Sequence, residues 1–568
     1  MHWVLYSYKF ADLSINSSFS GNSYYLHTDS SLLKGPGCSF LVEGTVLPRS
    51  GEVNNCNSTN DLIISSYQKY GKNFINHIKG KFTIIELHNE SFTIYSDHFG
   101  IKKYFYYSDP KGFIISSDIR TIITYTNKSV SPVNSAIYAL TYHFLDGNTI
   151  FKGVYHNKPA QKIYYKNGRL VLDRYYYPEN LLSLEKKNVS IEDISDSLSQ
   201  IVSSNLRRVN PKKISHSITG GMDSRMLLSI IRKKGVNAHL YTYGNPESAD
   251  CKIAKMISEK IGAEHSVYDI KFDMNSFSKE ADCCIEYGKS VASLHRAHRL
   301  AAIRKEAVHA DTMFLSTMGG EFIKGANRSD YIVADFVYNY KMNNNLYYLI
   351  SCLKNKCVNI DAINIDKLVE ILSNISWLTR NKNLEFNALF EIAASLHHSQ
   401  NDIIYSKFIP NIITPFIDID YLELLFSSKY NFLSKNKNIP HFLNKLRNPE
   451  FACRMQKYLD PELAKIKYAN GFSAEEYLKN PIYAAFISRE RKKKLSKVKN
   501  FPLGKWMEEY ITFNLQVILD SNTPVKQIFK IEELLKEIKT KPTGNTESFW
   551  LKFSTPVQIF RIIKIFNK

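Results

Sequence analysis

From Val4 to about Tyr177 the chain sets short apolar runs, such as Phe40-Leu41-Val42, Phe82-Thr83-Ile84-Ile85 and Phe92-Thr93-Ile94-Tyr95, between glycine, asparagine and aspartate. β-Branched and aromatic runs of this length, cut by turn formers, predict strands. The first part of the chain therefore reads as a β-rich domain. Between Asn180 and Asn188 the sequence turns polar and lysine-bearing, which divides a domain over 1–180 from a second over 190–568. Directly after this boundary Ser190 and Asp193 have capping-box spacing, and Ile191, Ile194, Leu198, Ile201, Val202 and Leu206 recur on one helical face. A strand over 213–218, a helix over 225–232, a strand over 238–243 and a helix around 251–261 follow, with another apolar segment at Met313-Phe314-Leu315. Alternating strands and helices predict a doubly wound parallel sheet, which binds ligands at the carboxyl ends of its strands. The remainder, to residue 568, is mostly helical by periodicity.

The chemistry concentrates in Ser217-Ile218-Thr219-Gly220-Gly221-Met222-Asp223-Ser224, where a strand passes into a helix through two glycines. Such a turn lets backbone N–H groups converge on phosphate oxygens, and the helix N-terminus adds partial positive charge. A bare Gly-Gly is more often only a tight turn. Here Asp223, one turn into the helix, supplies an oxygen ligand for the magnesium that a bound phosphate needs. The stretch predicts an ATP site.

At 568 residues, 44% hydrophobic and 13% aromatic, the chain has enough apolar surface for two or more folded domains. It contains no run of 18 or more apolar residues, and its opening Met1-His2-Trp3-Val4-Leu5-Tyr6-Ser7-Tyr8-Lys9 lacks signal-peptide order, which predicts a cytoplasmic protein without membrane insertion. The eight cysteines (Cys38, Cys56, Cys251, Cys283, Cys284, Cys352, Cys357, Cys453) have no paired CxxC spacing, so free thiols are expected and neither a zinc site nor a disulfide scaffold is indicated. The net charge of +20 fits a nucleic-acid partner, an acidic substrate, or the Lys, Asn, Ile and Tyr bias that runs throughout. The densest basic run, 489–499, has no interleaved aromatics to stack bases and favours a solvated face or an acidic partner over nucleic acid.

The glycine stretch resembles the SGGxDS loop of the PP-loop ATP pyrophosphatases, with Thr219 for the first serine, and differs from the lysine-bearing loop of kinases and GTPases. The resemblance implies AMP and pyrophosphate as products rather than ADP. Other stretches extend it. Gly80-Lys81-Phe82, the run from Asp97-His98-Phe99-Gly100 to Tyr107, and Ser116-Ser117-Asp118 resemble the core of a glutaminase-type domain. Thr242-Tyr243-Gly244-Asn245-Pro246 resembles an adenine-reading segment, Leu315-Ser316-Thr317-Met318-Gly319-Gly320-Glu321 a second ATP and magnesium loop, and Thr414-Pro415-Phe416-Ile417-Asp418 a supporting PFLD segment. In this order the chain resembles the asparagine synthetase superfamily, which includes β-lactam synthetases and lasso-peptide cyclases.

That resemblance implies an N-terminal Ntn-hydrolase-like domain and a PP-loop synthetase domain with extra C-terminal helices. It implies an ATP- and Mg2+-dependent ligase that adenylates a small-molecule or peptide carboxylate and passes it to ammonia or an amine, alongside a partner enzyme of a biosynthetic pathway. Ser217, Thr219, Gly220, Gly221, Asp223, Ser224, Tyr243, Ser316 and Gly319 would surround the nucleotide, with Asp223 and Glu321 on the metal. Aligned from Gly325 instead, Glu321 matches the family's following glutamate, and both alignments stand. Lys465, six residues before Gly471, falls where the family has its catalytic lysine, with Lys467 next in line.

Two departures shape the expectation. Glutamine-using members carry an N-terminal cysteine nucleophile where this chain has His2, and their Asn-Gly oxyanion segment becomes Glu43-Gly44, so glutamine hydrolysis is not expected. Met318 stands where relatives have a Glu or Tyr that handles the amine's proton, and a thioether accepts none. His397, His398 and Asp402 are the substitutes the sequence offers. A tRNA-modifying PP-loop enzyme and a non-catalytic binding protein are the competing readings.

Overall fold

The computed structural model describes residues 2–7, 18–52, 56, 58–324, 336, 339–340, 345–375, 383–434, 448–494, 503–540 and 547–566. Met1, Tyr8, Lys9, Gly325 and the 495–499 end of the basic run, all used above, lie outside the described residues.

The N-terminal domain holds β1 (Trp3–Ser7), β2 (Phe19–Ser20), β3 (Tyr24–Thr28), β4 (Leu33–Gly35), β5 (Cys38–Pro48), α1 (Thr59–Tyr70), β6 (Ile78–Leu87), β7 (Ser91–Ser96), β8 (Phe105–Asp109), β9 (Gly112–Ser116), α2 (Ile119–Thr126), α3 (Pro132–Thr141), β10 (Tyr155–His156), β11 (Gln161–Lys166) and β12 (Arg169–Arg174). They form two six-stranded sheets, ordered β10-β8-β9-β1-β3-β2 and β12-β11-β7-β6-β5-β4. Strand alternation explains the layering. Trp3 and Leu5 of β1 face inward onto Leu41, Ile85, Phe92 and Ile94 of the second sheet, whereas Val4 and Tyr6 face outward onto Ile119, Ile122 and Ile137 of α2 and α3. On the far side, Phe40, Phe82 and Ile84 cover Leu62 and Ile63 of α1. The expected β-rich domain is thus a helix–sheet–sheet–helix stack.

The second domain opens with α4 (Ile191–Val209), capped by Ser190 and Asp193 in the reciprocal manner expected. Its apolar face enters a core with Met226, Leu227 and Ile230. Next come β13 (Ile214–Ser217), α5 (Met222–Lys233), β14 (His239–Tyr243), α6 (Ala249–Ile261), β15 (His265–Tyr268), α7 (Met274–Tyr287), α8 (Ala297–Glu306), β16 (Thr312–Phe314), α9 (Glu321–Lys324), α10 (His398–Tyr405), β17 (Asn411–Ile413) and α11 (Ile419–Ser427). The five strands pair in parallel in the order β15-β14-β13-β16-β17. From β13 the chain builds outward to β15, then returns to add β16 and β17 on the opposite edge, so the winding reverses between β13 and β16. An open parallel sheet receives its ligand outside the strand ends at such a reversal. The helix after the glycines starts at Met222, three residues before the expected 225, because Gly221 serves as its N-cap in extended conformation. Beyond α11 the described chain is helical, and Trp506, Tyr510 and Phe553 share one core with α3 and α7.

Charge joins the two domains. Lys79 pairs with Asp418 (2.9 Å) and Asp420 (2.7 Å), and Lys102 with Asp402 (3.1 Å). Lys81 also reaches Asp402, and Arg49 reaches Asp420. The PFLD-like segment is therefore a docking corner: Asp418 caps α11 through the Asp420 amide and takes its charge partner from the other domain. Gly44 and Gly80 bring β5 and β6 together here at φ 104 and 123, since a Cβ on either would lie about 2 Å from a carbonyl oxygen across the pair. A cavity of about 210 Å³ lies at this corner. All eight cysteines are free, and among the described residues no helix is long and apolar enough to cross a membrane.

Candidate functional site

A cavity of about 570 Å³ opens at the reversal point, walled by the loops that follow β13 and β16. Ser217, Thr219, Gly221, Asp223 and Ser224 line one side, and Ser316, Met318, Gly320, Glu321 and Lys324 the other, with Asn448 and Asn470 at the edge. Two loops more than 90 residues apart in sequence are adjacent because β13 pairs with β16, Ile214 beside Thr312.

The first loop is braced rather than loose. Thr219 N–H donates to Ser224 Oγ (3.2 Å), Gly221 N–H to Thr219 Oγ1 (3.1 Å), and Gly220 N–H to Asp250 Oδ1 (3.0 Å). Ala469 N–H donates back to the Gly220 carbonyl at 2.8 Å. Gly220 admits no side chain, because a Cβ would come within 2.8 Å of Ala469 and 3.0 Å of Asp250. The amides of Gly220 and Gly221 thus already hold oxygen acceptors, one of them a carboxylate, at the positions the sequence reading assigns to phosphate.

Asp223, in the first turn of α5, meets the second loop directly. A Cβ on Gly320 would lie 2.8 Å from Asp223 Oδ1, and one on Gly319 would lie 3.2 Å from Asp223 Cβ and 3.0 Å from Phe416. Both glycines exist to let the carboxylate in. Burial and the neighbouring Glu321 raise the Asp223 carboxyl to about 6, against the opposing pull of Lys324 and the Gly320 amide. Glu321 opens α9, and its Oε2 is buried without a hydrogen-bond partner. Lys324, on the next turn of the same short helix, brings an ammonium beside the two acids. The result is a pair of facing carboxylates with one cation and one unsatisfied oxygen, a donor set suited to a hard divalent ion.

The remaining predicted residues scatter. Gly319 sits behind the wall, and Tyr243, at the end of β14, stacks with Tyr241 and lies off the lining. Lys465 pairs through its Nζ with Glu462 at 2.7 Å, its side chain half exposed, and does not line the cavity. Lys467 turns outward to Glu476 (3.5 Å). Their backbone is what matters locally, because the buried Arg225 guanidinium binds the carbonyls of Ile466 and Lys467 and clamps this segment against the glycine loop. Met318 sits at φ 69 and belongs to the apolar core around Phe416. None of the three proposed substitutes lines the cavity: Asp402 is locked between Lys81 and Lys102, burial holds His398 neutral, and His397 has an exposed side chain away from the lining. Lys324 is what sequence reasoning missed. Its only sequence signal is a position one helical turn after Glu321.

At the end of the N-terminal domain nearest its first strand, His2 donates its backbone N–H to Asp29 (3.0 Å), and its Nε2 lies 3.2 Å from Thr121 Oγ1. Trp3 Nε1 donates to Glu43 (3.0 Å), and Lys289 from the second domain donates to the Ser117 carbonyl (2.6 Å).

Residues 45–176 match the glutamine amidotransferase domain family. Among curated proteins, the chain is similar to an asparagine synthetase (glutamine-hydrolyzing) 3 of Bacillus subtilis, 23% identical over 197 residues, 33% of this chain and 31% of that protein. It is also similar to amidase chry2 of Gibberella zeae, 23% identical over 37% of this chain and 32% of that protein. The chain thus spans about a third of the length of the curated relatives it matches. Two solved structures overlap 47% of the chain: an allosteric regulatory enzyme of purine biosynthesis, with 58% of its own chain covered at 9% identity and TM-score 0.20, and the B. subtilis glutamine phosphoribosylpyrophosphate amidotransferase, with 59% covered at 10% and 0.19. By sequence, then, residues 45–176 constitute a glutamine amidotransferase-type domain, and the chain is a distant homologue of asparagine synthetase.

Proposed function

We propose that the protein is an ATP-dependent, AMP-forming amide ligase of PP-loop type that works without a glutaminase of its own. The observation that carries this reading is the Asp223–Glu321 carboxylate pair at the sheet's reversal point, with Glu321 Oε2 buried and unpartnered. Facing like charges in a half-buried wall persist where a cation compensates them. Asp223 and Glu321 would hold magnesium, which when bound draws charge from phosphate oxygens as a Lewis acid.

In this reading a substrate carboxylate attacks the α-phosphorus of ATP, pyrophosphate leaves, and an amine then attacks the acyl carbon, breaking its bond to AMP. Lys324 offsets negative charge that builds on the phosphates as they separate. The cradle after β13 receives the nucleotide once Asp250 withdraws from Gly220 N–H, the Asp250 carboxylate holding the place of a phosphate oxygen. The amine is ammonia or belongs to the substrate. The absence of glutamine hydrolysis is supported by His2 leading into β1 in place of a thiol, by Glu43 committed to Trp3, and by Lys289 driven into the Ser117 carbonyl.

One observation favours a second reading, a binding protein that keeps the fold: the Gly220 and Gly221 amides are already satisfied. Pyrophosphate and AMP release from MgATP, measured against pooled carboxylates with ammonium, glutamine or no added amine and followed by product mass spectrometry, separates the two. Substrate-dependent AMP establishes the ligase, and activity without added amine marks ring closure. ATP binding with no pyrophosphate from any pool favours the binding protein.

A further inference from the structure

A second cluster of chemically capable side chains lies in the N-terminal domain, on β5 and at the end of β6. Strand pairing dictates it. β5 and β6 run antiparallel with Phe40 opposite Glu86 and Ser39 opposite Leu87. Because side chains alternate, Cys38 and Phe40 share a face with Glu86 and His88, the face that α1 covers with Tyr67. The Cys38 thiol, a Glu86 carboxylate oxygen and a His88 ring nitrogen all lie within 4.8 Å of one another, and His88 Nε2 is 2.8 Å from Glu86 Oε1. They line a cleft of about 560 Å³.

The surroundings suit a metal. Glu86 is 1% exposed, and among the described residues its ion-pair partner is His88 alone, although Lys34 and Lys72 line the same cleft. Tyr67 donates to Glu86 Oε1 (2.9 Å) and Tyr95 to Oε2 (3.0 Å). Phenols orient a carboxylate without neutralising it, which is how outer hydrogen bonds hold a ligating carboxylate in position. A buried carboxylate beside a thiol and an imidazole, with no lysine or arginine paired to it among the described residues, is an arrangement a divalent cation compensates.

We propose that Cys38, Glu86 and His88 form a binding site for one divalent cation of the zinc class, with water as fourth ligand and Tyr67 and Tyr95 orienting Glu86. Mixed sulfur, nitrogen and oxygen donors select zinc over magnesium or calcium. On binding, the Cys38 S–H bond breaks and a metal–sulfur bond forms, with the proton released to solvent. The His88–Glu86 hydrogen bond breaks as Nε2 gives up its proton through solvent and turns the freed lone pair to the metal, the bound imidazole carrying its one proton on Nδ1. The site is separate from Asp223 and Glu321 and stands whether or not the ligase reading does.

The test uses the full chain, stripped with chelator and reloaded with zinc or cobalt(II). Elemental analysis after desalting should find zinc equimolar with the chain, and cobalt(II) should give a thiolate charge-transfer band in the near ultraviolet with the visible bands of four-coordination. Cys38→Ser should lose the thiolate band, His88→Ala should weaken binding at least about tenfold, and Cys56→Ser, a nearby thiol outside the cluster, should match the parent. Folded parent protein that retains no zinc, or a thiolate band that persists in Cys38→Ser, overturns the proposal. If Cys38→Ser does not fold, parent-like affinity in His88→Ala overturns it instead.

Discussion

Two groups of carboxylates sit within the same domain and have opposite surroundings. Asp402, Asp418 and Asp420, at the docking corner, meet Lys81, Lys102, Lys79 and Arg49. There the cations prevail over burial for Asp402, whose carboxyl is held well below the usual range. Asp223 and Glu321 face each other with one lysine between two acids, and there burial prevails, raising Asp223 to about 6. A compensated cluster holds structure together. An under-compensated one on a cavity wall keeps free energy in reserve for a ligand.

The comparison breaks most sharply at Lys79. Replacing it with methionine leaves Asp418 without its interdomain partner, and a cost of about 3–5 kcal/mol in chemical unfolding is expected. A loss under about 1 kcal/mol would mean the corner is not compensated as described. Asp223→Ala should lower pyrophosphate formation about a hundredfold or more with the fold intact, because it removes one of the two proposed oxygen ligands. Parent-like turnover would end the site assignment.

The same acid also makes a stability prediction of opposite sign. A carboxyl raised in the fold binds protons that the unfolded chain has released, so its penalty is absent at low pH and grows as pH rises from about 4 through about 6. Asp223→Asn should therefore stabilise the ligand-free protein by roughly 1–3 kcal/mol above pH 7 and scarcely at all at pH 4, read from melting curves at both. Lys324→Ala should cost about tenfold in turnover. Lys465→Ala, on its exposed pair with Glu462, should leave both the melting temperature and pyrophosphate release as in the parent.

These contrasts follow what the sequence could disclose. α4 was legible to its capping pair because Ser190, Asp193 and its apolar face are local signals, and the β-rich first domain because alternation is local too. The glycine loop and Asp223 could be read for the same reason. The start of α5 was misjudged by three residues, since the cap is Gly221, which offers no side-chain signature. Glu321 was visible only by comparison with a known loop. Lys324 was hidden among 74 lysines and arginines, and only the turn of α9 selects it. Cys38 and His88 escaped because their ligand spacing is created by strand register, fifty positions apart in the chain. Spacing to Gly471 locates the backbone segment of Lys465 beside the loop but carries no information on the direction of its side chain.

The docking corner also has a consequence for synthesis. Its basic half, Arg49 to Lys102, precedes its acidic half by 300 residues or more. At about 5–20 residues per second, the ribosome delivers Asp402 to Asp420 roughly 15–60 s after the lysines they neutralise. During that interval Arg49, Lys79, Lys81 and Lys102 of the newborn first domain have none of the carboxylates that pair with them in the finished fold.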